Sequence, residues 1–196
     1  IKIALASPLT GPAAAMGISA KAGIELAIEE INGAGGIHGR TLELQVEDDK
    51  GDPREAASVA RKLVSDRNIL AVIGHLNSSC TLAGAPIYNR GKVVELSYGS
   101  TNPSITQAGP WTFRNCVTDL FLGDFLARLA NLKLLPMRLT ILFYYDDYGR
   151  GLMEAFQSAV KKYGGNVIGV EAYARGQSTD FTAQLTKIRA SNPDAL

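Results

Sequence analysis

The run Ile69-Leu70-Ala71-Val72-Ile73 stops abruptly at Gly74. Small polar side chains follow at Asn77, Ser78, Ser79 and Thr81, and a helical pattern carried by Leu82, Ala85, Pro86 and Tyr88 begins there. An unbroken apolar run of this length reads as a buried parallel strand, and the polar residues as a loop that opens a helix. Open α/β sheets bind their ligands at that place, outside the carboxyl ends of the strands. Backbone N–H groups at the helix start, with the hydroxyls of Ser78 and Ser79, suit an anionic group such as a carboxylate. Taken alone, the stretch reads more simply as a helix start capped by Ser78 or Ser79, and that plainer reading leads until a second feature weighs against it.

The second feature comes from the order of elements along the chain. Residues 1–6 read as a first buried strand, and a helix from about Met16 to Asn32 carries Ile24, Ala27, Ile28 and Ile31 at helical spacing. Gly33-Ala34-Gly35-Gly36 ends that helix and opens a strand, the reverse of a dinucleotide fingerprint, so it is a turn. Leu42, Leu44 and Val46 alternate along a second strand nearer the sheet edge. Asp52-Pro53-Arg54-Glu55 then supplies an N-cap, a proline at the first helical position and a glutamate at the third, with Ala56, Val59, Ala60 and Leu63 facing inward. After the run at Ile69, Lys92 to Ser97 forms a fourth strand ending in Ser97-Tyr98-Gly99-Ser100-Thr101-Asn102-Pro103-Ser104. Two strands therefore end in hydroxyl-rich loops, and parallel strands place both loops on one sheet edge. A crevice lined by Ser78, Ser79, Ser100 and Thr101 follows if those strands are close neighbours. A cap alone does not explain it.

Trp111 to Arg114 reads as a short extended segment, and a break near residues 115–118 precedes a second series. A helix from about Asp119 to Leu132 is expected to turn Leu122, Phe125, Leu126 and Leu129 inward, with Pro136 as punctuation. Leu139 to Tyr145 is a strand, and Asp146-Asp147-Tyr148-Gly149 a loop whose acidic pair is solvated or caps the next helix. That helix carries Leu152, Phe156 and Val160 and ends at Gly164-Gly165. A strand from Val167 to Tyr173, a loop from Arg175 to Ser178 and a helix capped by Thr179 or Asp180 follow. Pro193 to Leu196 reads as the entry to a further strand. The expectation is an α/β protein of two doubly wound parallel-sheet lobes, residues 1–117 and 118–196, the second incomplete.

Composition narrows the function. Charged residues make up 20% of the chain with a net charge of +1, and no basic stripe marks a nucleic-acid partner. No apolar run approaches the ~20 residues of a spanning helix, so direct membrane insertion is not expected. A strand-like start at Ile1 is compatible with a mature chain whose signal peptide has been removed, or with a cytosolic one. Asp48, Asp49 and Asp52 do not continue into a calcium-loop pattern, and Cys80 and Cys116 lack zinc-type spacing and leave either a disulfide or buried thiols open. No metal or cofactor is expected. An enzyme is not expected either: the chain has two histidines and no nucleophile elbow. His75 lies three residues before Ser78 but nothing supplies a third triad member, so it reads as a structural residue bridging loops.

The chain resembles the type I periplasmic binding proteins of the leucine/isoleucine/valine-binding branch. The resemblance rests on Ile1-Lys2-Ile3-Ala4 with Leu9-Thr10-Gly11-Pro12, and on Asn32-Gly33-Ala34-Gly35-Gly36-Ile37-His38-Gly39. Glu47-Asp48-Asp49 with Asp52-Pro53, Ile73-Gly74-His75 with Ser78-Ser79, Thr101-Asn102-Pro103 and Asp147-Tyr148-Gly149 continue it in order. It implies two α/β lobes joined by crossing strands that close on a small solute, and a protein normally much longer than this chain. It also implies periplasmic capture of an amino acid or similar small carboxylate (extracytoplasmic and lipid-anchored in a Gram-positive source) for presentation to an ABC permease. By position, Ser78 and Thr101 resemble the donors to the ligand α-carboxylate, and Gly99 the carbonyl that accepts from the α-ammonium. Tyr148 resembles the second-lobe aromatic that covers the ligand. The acidic partner of the ammonium would lie beyond Leu196. Met16 stands where leucine-binding members often carry a tyrosine, and Asn77 and Ser100 are more polar than that branch usually shows. Gly51 takes the place of a disulfide cysteine found in some members. These departures widen the expected ligands to other amino acids, amides and aromatic carboxylates. A ligand-sensing module of a regulator or receptor is the alternative use of the same fold.

Overall fold

The computed structural model describes residues 1–134, 138–174 and 180–196. The readings placed on Pro136, on the loop from Arg175 to Ser178 and on Thr179 lie outside them. The chain divides into two compact units, one of Ile1–Ser100 with Ser104–Cys116 and one of Thr101–Pro103 with Val117–Leu196.

The first unit holds strands β1 (Lys2–Ser7), β2 (Glu43–Asp48), β3 (Ile69–Gly74), β4 (Val94–Ser97) and β5 (Thr112–Arg114), all parallel, in the order β2-β1-β3-β4-β5. The chain winds outward in both directions from β1, so the topological switch point falls between β1 and β3. Helices α1 (Ala14–Gly33), α2 (Pro53–Ser65) and α3 (Ser78–Gly91) make the crossovers. Ala4, Leu5 and Ala6 of β1 are wholly buried, as a central parallel strand covered on both faces requires. Ala4, Ala6, Val59, Ala60, Leu63, Val72, Tyr88 and Val93 form one core cluster, joining the sheet to α2 and α3.

Local chemistry explains α2 directly: the Asp52 carboxylate accepts from the N–H groups of Arg54 and Glu55, and Pro53 occupies the first turn. The start of α3 departs from the sequence reading. Asn77, and neither serine, is its N-cap, and the Asn77 side chain makes no capping hydrogen bond. The helix start is set instead by tertiary bonds to the preceding loop, described below.

The second unit pairs β6 (Arg138–Tyr144) with β7 (Asn166–Tyr173) in parallel, beside α4 (Asp119–Leu134), α5 (Asp147–Lys162) and α6 (Thr182–Ala190). Asp146 caps α5 by accepting from the Gly149 N–H at 2.7 Å. Ala195 forms an isolated parallel bridge with Leu139 and accepts from the Thr140 N–H, where a strand entry was expected. The expected inward face of α4 is corrected: Phe125, Leu126 and Leu129 are 56%, 41% and 46% exposed. Close approach of α4 to α5 selects small residues, so Gly123 meets the backbone of Ala155 and Phe156 and Ala127 is buried. A two-stranded sheet then offers too little apolar surface to cover the long side chains, and Leu126 and Leu129 border an apolar cavity of about 580 Å³ with Phe143, Leu152 and Phe156. Among the described residues, no helix is long and apolar enough to cross a membrane.

Candidate functional site

The carboxyl edge of the first unit is organised around one atom, the carbonyl oxygen of His75, just past the end of β3. Ser97 Oγ donates to it at 2.6 Å, and Thr81 Oγ1 and Ser100 Oγ each lie 3.2 Å from it. Ser100 Oγ also lies 3.0 Å from the Leu76 carbonyl and 2.7 Å from Thr81 Oγ1. The Ser100 N–H donates back to Ser97 Oγ at 3.0 Å. Ser97, Ser100 and Thr81 are wholly buried. A buried hydroxyl left unpaired costs about 1–3 kcal/mol, so the reciprocal pairing is what makes this polar cluster tolerable there. It also ties the β3–α3 loop to the loop after β4, both of which carry candidate ligand residues.

The His75 imidazole points away into the core. Its Nδ1 lies 2.6 Å from Asp49 Oδ2 and its Nε2 3.3 Å from the Tyr88 hydroxyl. Asp49 in turn accepts the Gly51 N–H at 2.8 Å. Asp49 and His75 are both wholly buried, so His75 locks the loops after β2 and β3 together and is structural, as its sequence context indicates.

Each sequence-derived candidate can now be placed. Ser78, the first residue of α3, is 1% exposed, and Ser79 is half-buried beside it. Asn77 is half-buried with its Oδ1 enclosed. Gly99 packs so closely on Leu76 that a Cβ would collide with the Leu76 side chain. Ser100 is wholly buried, with its hydroxyl committed to the cluster around His75. Met16 is 62% exposed near the start of α1. These residues belong to the first unit, whereas Thr101 and Tyr148 belong to the second. There the Thr101 carbonyl accepts the Asp119 N–H at 2.8 Å, and Asn102 Nδ2 donates to the Asp147 carbonyl at 2.6 Å. The segment 101–103 is thus bound to the start of α5, where Tyr148 is 41% exposed. Burial, reinforced by Asp119 and Asp146, raises the Tyr148 phenol above its ordinary value.

Sequence reasoning missed Ser7 and Tyr98. Tyr98 Oη lies 2.6 Å from Ser7 Oγ, joining the ends of β4 and β1 across 91 positions of sequence. Burial raises the Tyr98 phenol against the opposing effect of the Ser7 bond. Ser7 had the same signal as Ser78, a hydroxyl at the carboxyl end of an apolar strand; Tyr98 had none beyond its loop. The carboxyl of Glu95, deeper in β4, was missed too. It is wholly buried, one oxygen has no hydrogen-bond partner among the described residues, and burial pushes it up to about 8 even though Thr112 donates to the other oxygen.

A parallel sheet of order β2-β1-β3-β4-β5, with hydroxyl-bearing loops after β3 and β4 knitted together at its carboxyl edge, defines a doubly wound α/β unit, a class of fold whose ligands sit outside the carboxyl ends of the strands. The comparisons with known proteins carry this further. The periplasmic binding protein family model matches residues 1–196, and the chain belongs to that family. An amino acid binding protein of Pseudomonas aeruginosa is 34% identical over all of this chain and 52% of its own length. The Leu/Ile/Val-binding protein of Escherichia coli is 33% identical over 99% of this chain and 53% of its own. Among solved structures, the branched-chain amino acid transporter substrate binding protein LivJ of Streptococcus pneumoniae, in complex with isoleucine, superposes with a TM-score of 0.85. It is 31% identical over 99% of this chain and 55% of its own. The chain spans about half the length of the relatives it matches. The family and the α/β parallel-sheet class read from the sequence are both borne out.

Proposed function

We propose that this chain belongs to an extracytoplasmic solute-binding protein that captures an amino acid or similar small carboxylate and delivers it to an ABC permease. The observation that carries the reading is the opening of α3 at the carboxyl end of β3, beside the switch point, with Ser78 as its first residue. The N–H groups of a first helical turn point outward along the axis, and with the macrodipole they favour a carboxylate. The relatives support the same chemistry, since one is named for amino acid binding and another for leucine, isoleucine and valine. In this reading Ser78 donates to the ligand carboxylate, Thr101 assists, Gly99 offers a carbonyl to the ammonium, and Tyr148 is the ligand-facing aromatic of the second unit. Ser79, Asn77, Ser100 and Met16 complete the surroundings.

Directed hydrogen bonds matter because a buried unpaired charge is costly. Ser78→Ala and Thr101→Ala, made in the full-length protein, each weaken binding by about 1–3 kcal/mol. Titration calorimetry against amino acids and small carboxylates reads the effect. Unchanged affinity in both variants refutes the assignment.

A further inference from the structure

The bond between Tyr98 and Ser7 has a geometry that neither residue's own strand requires. Register places Ala6 opposite Gly74 and Ile73 opposite Leu96, so Ser7 and Tyr98 stand at one level with β3 between them. Two strand spacings separate them, about 9.6 Å. Their hydroxyls nevertheless lie 2.6 Å apart, so the two side chains together span the end of β3 at the switch point. Ser7 is wholly buried under the start of α1, where a Cβ on Gly17 would come within 2.8 Å of Ser7 Oγ. The exposed Met16 is the residue just before Gly17 in α1, and Gly99, packed on Leu76, is the next after Tyr98. Tyr98 is half-buried, with its hydroxyl engaged and its phenol raised further above its ordinary value by burial. What it offers a ligand at this edge is therefore an uncharged aromatic ring.

We infer that Tyr98, pinned to Ser7 across the end of β3, is a specificity-determining residue, an apolar wall that favours amino acids with apolar side chains. The inference rests on the reading that the first unit holds an amino acid by its charged groups at this edge. The serine and backbone donors fix those groups, which all amino acids share. The Tyr98 ring meets the part in which they differ, and burying an apolar side chain against it discriminates in proportion to the area covered.

The test is calorimetric titration of the full-length protein with alanine, valine, leucine, phenylalanine, serine and glutamine. Tyr98→Ala lowers affinity for leucine and phenylalanine by about tenfold or more while changing alanine by less than about twofold. Tyr98→Phe keeps the ring and the ranking of ligands. Tyr98→Trp thickens the wall and moves the preference toward smaller side chains, and it carries the test if Tyr98→Ala does not fold. Ser78→Ala serves as the separate check of the underlying reading, because it weakens every amino acid alike. Binding of no amino acid by the parent protein, or indifference to Ser78→Ala and Thr101→Ala alike, refutes that reading. Uniform binding loss through Ser78→Ala, with a ligand ranking unmoved by Tyr98→Ala or Tyr98→Trp, overturns the role of Tyr98 alone.

Discussion

Replacing Glu95 by glutamine converts a buried acid into a nearly isosteric neutral group. The Glu95 carboxyl is pushed from 4.5 to about 8, first by burial, with the Thr112 hydroxyl opposing at 3.1 Å from Oε2. Asn89 donates in turn to Thr112 at 2.8 Å, and the neighbouring Tyr88 phenol is raised by burial and then by Glu95 itself. Between those two values the folded chain keeps a proton that the unfolded chain has released. Stability therefore falls as pH rises through the window, by about 1.4 kcal/mol per pH unit, and levels off above the folded value. The full loss is on the order of 5 kcal/mol. Glutamine titrates in neither state, so its contribution is flat. At about pH 5 Glu95→Gln is the less stable protein, because an amide N–H placed where Oε1 lacks a partner costs about 1–3 kcal/mol. By about pH 8 the parent has lost roughly 3 kcal/mol more than the variant, and the order reverses. Urea denaturation followed by fluorescence of Trp111, the single tryptophan and the residue before Thr112, reports this unit directly. A difference between parent and variant that does not change with pH refutes the reasoning.

Asp49→Ala removes the partner of His75 Nδ1 and of the Gly51 N–H in a wholly buried place, and is expected to cost about 2–4 kcal/mol in the same denaturation assay. A loss under about 0.5 kcal/mol, the range of an ordinary surface change, counts against the locking role of His75. Gly74→Ala forces a Cβ into the Ala6 carbonyl at a φ of +146°, so β1 and β3 must part. The expected cost is about 4 kcal/mol or more, read as loss of a cooperative thermal transition, and a variant that melts with its parent contradicts it.

β1 was legible because a parallel strand covered on both faces must be an unbroken apolar run, as Ala4, Leu5 and Ala6 are; Ile69 to Ile73 was legible by the same kind of run, although Leu70 is 59% exposed in the fold. Asp52 was legible for a related reason: a capping aspartate followed by proline completes its chemistry within four residues. The start of α3 was not. Asn77, Ser78 and Ser79 are adjacent residues of capping type, and local preference does not choose among them; the bonds of Thr81, Ser97 and Ser100 to the His75 carbonyl do. In α4, helical spacing correctly grouped Phe125, Leu126 and Leu129 on one side, but the neighbour it meets, α5, is approached through Gly123 and Ala127. Periodicity identifies a stripe; packing decides which stripe is covered.

Ser100 shows how such a distant pairing changes chemistry. Read along the chain, a serine in place of a smaller apolar residue makes the pocket more polar and argues against an apolar ligand. In the fold its hydroxyl is turned into the cluster around His75 and its residue is wholly buried, so that polarity stays within the protein. The surfaces proposed to meet a ligand side chain near the switch point are then the thioether of Met16, 62% exposed, and the ring of Tyr98. The hydroxyls of Thr81, Ser97 and Ser100 hold the two loops in one arrangement before a ligand arrives. That lowers the ordering cost of binding, because loop entropy lost on folding is not lost again on capture. Selectivity is then left to the few side chains outside the cluster, which is why Tyr98, rather than Ser100, is the position at which ligand preference is expected to change.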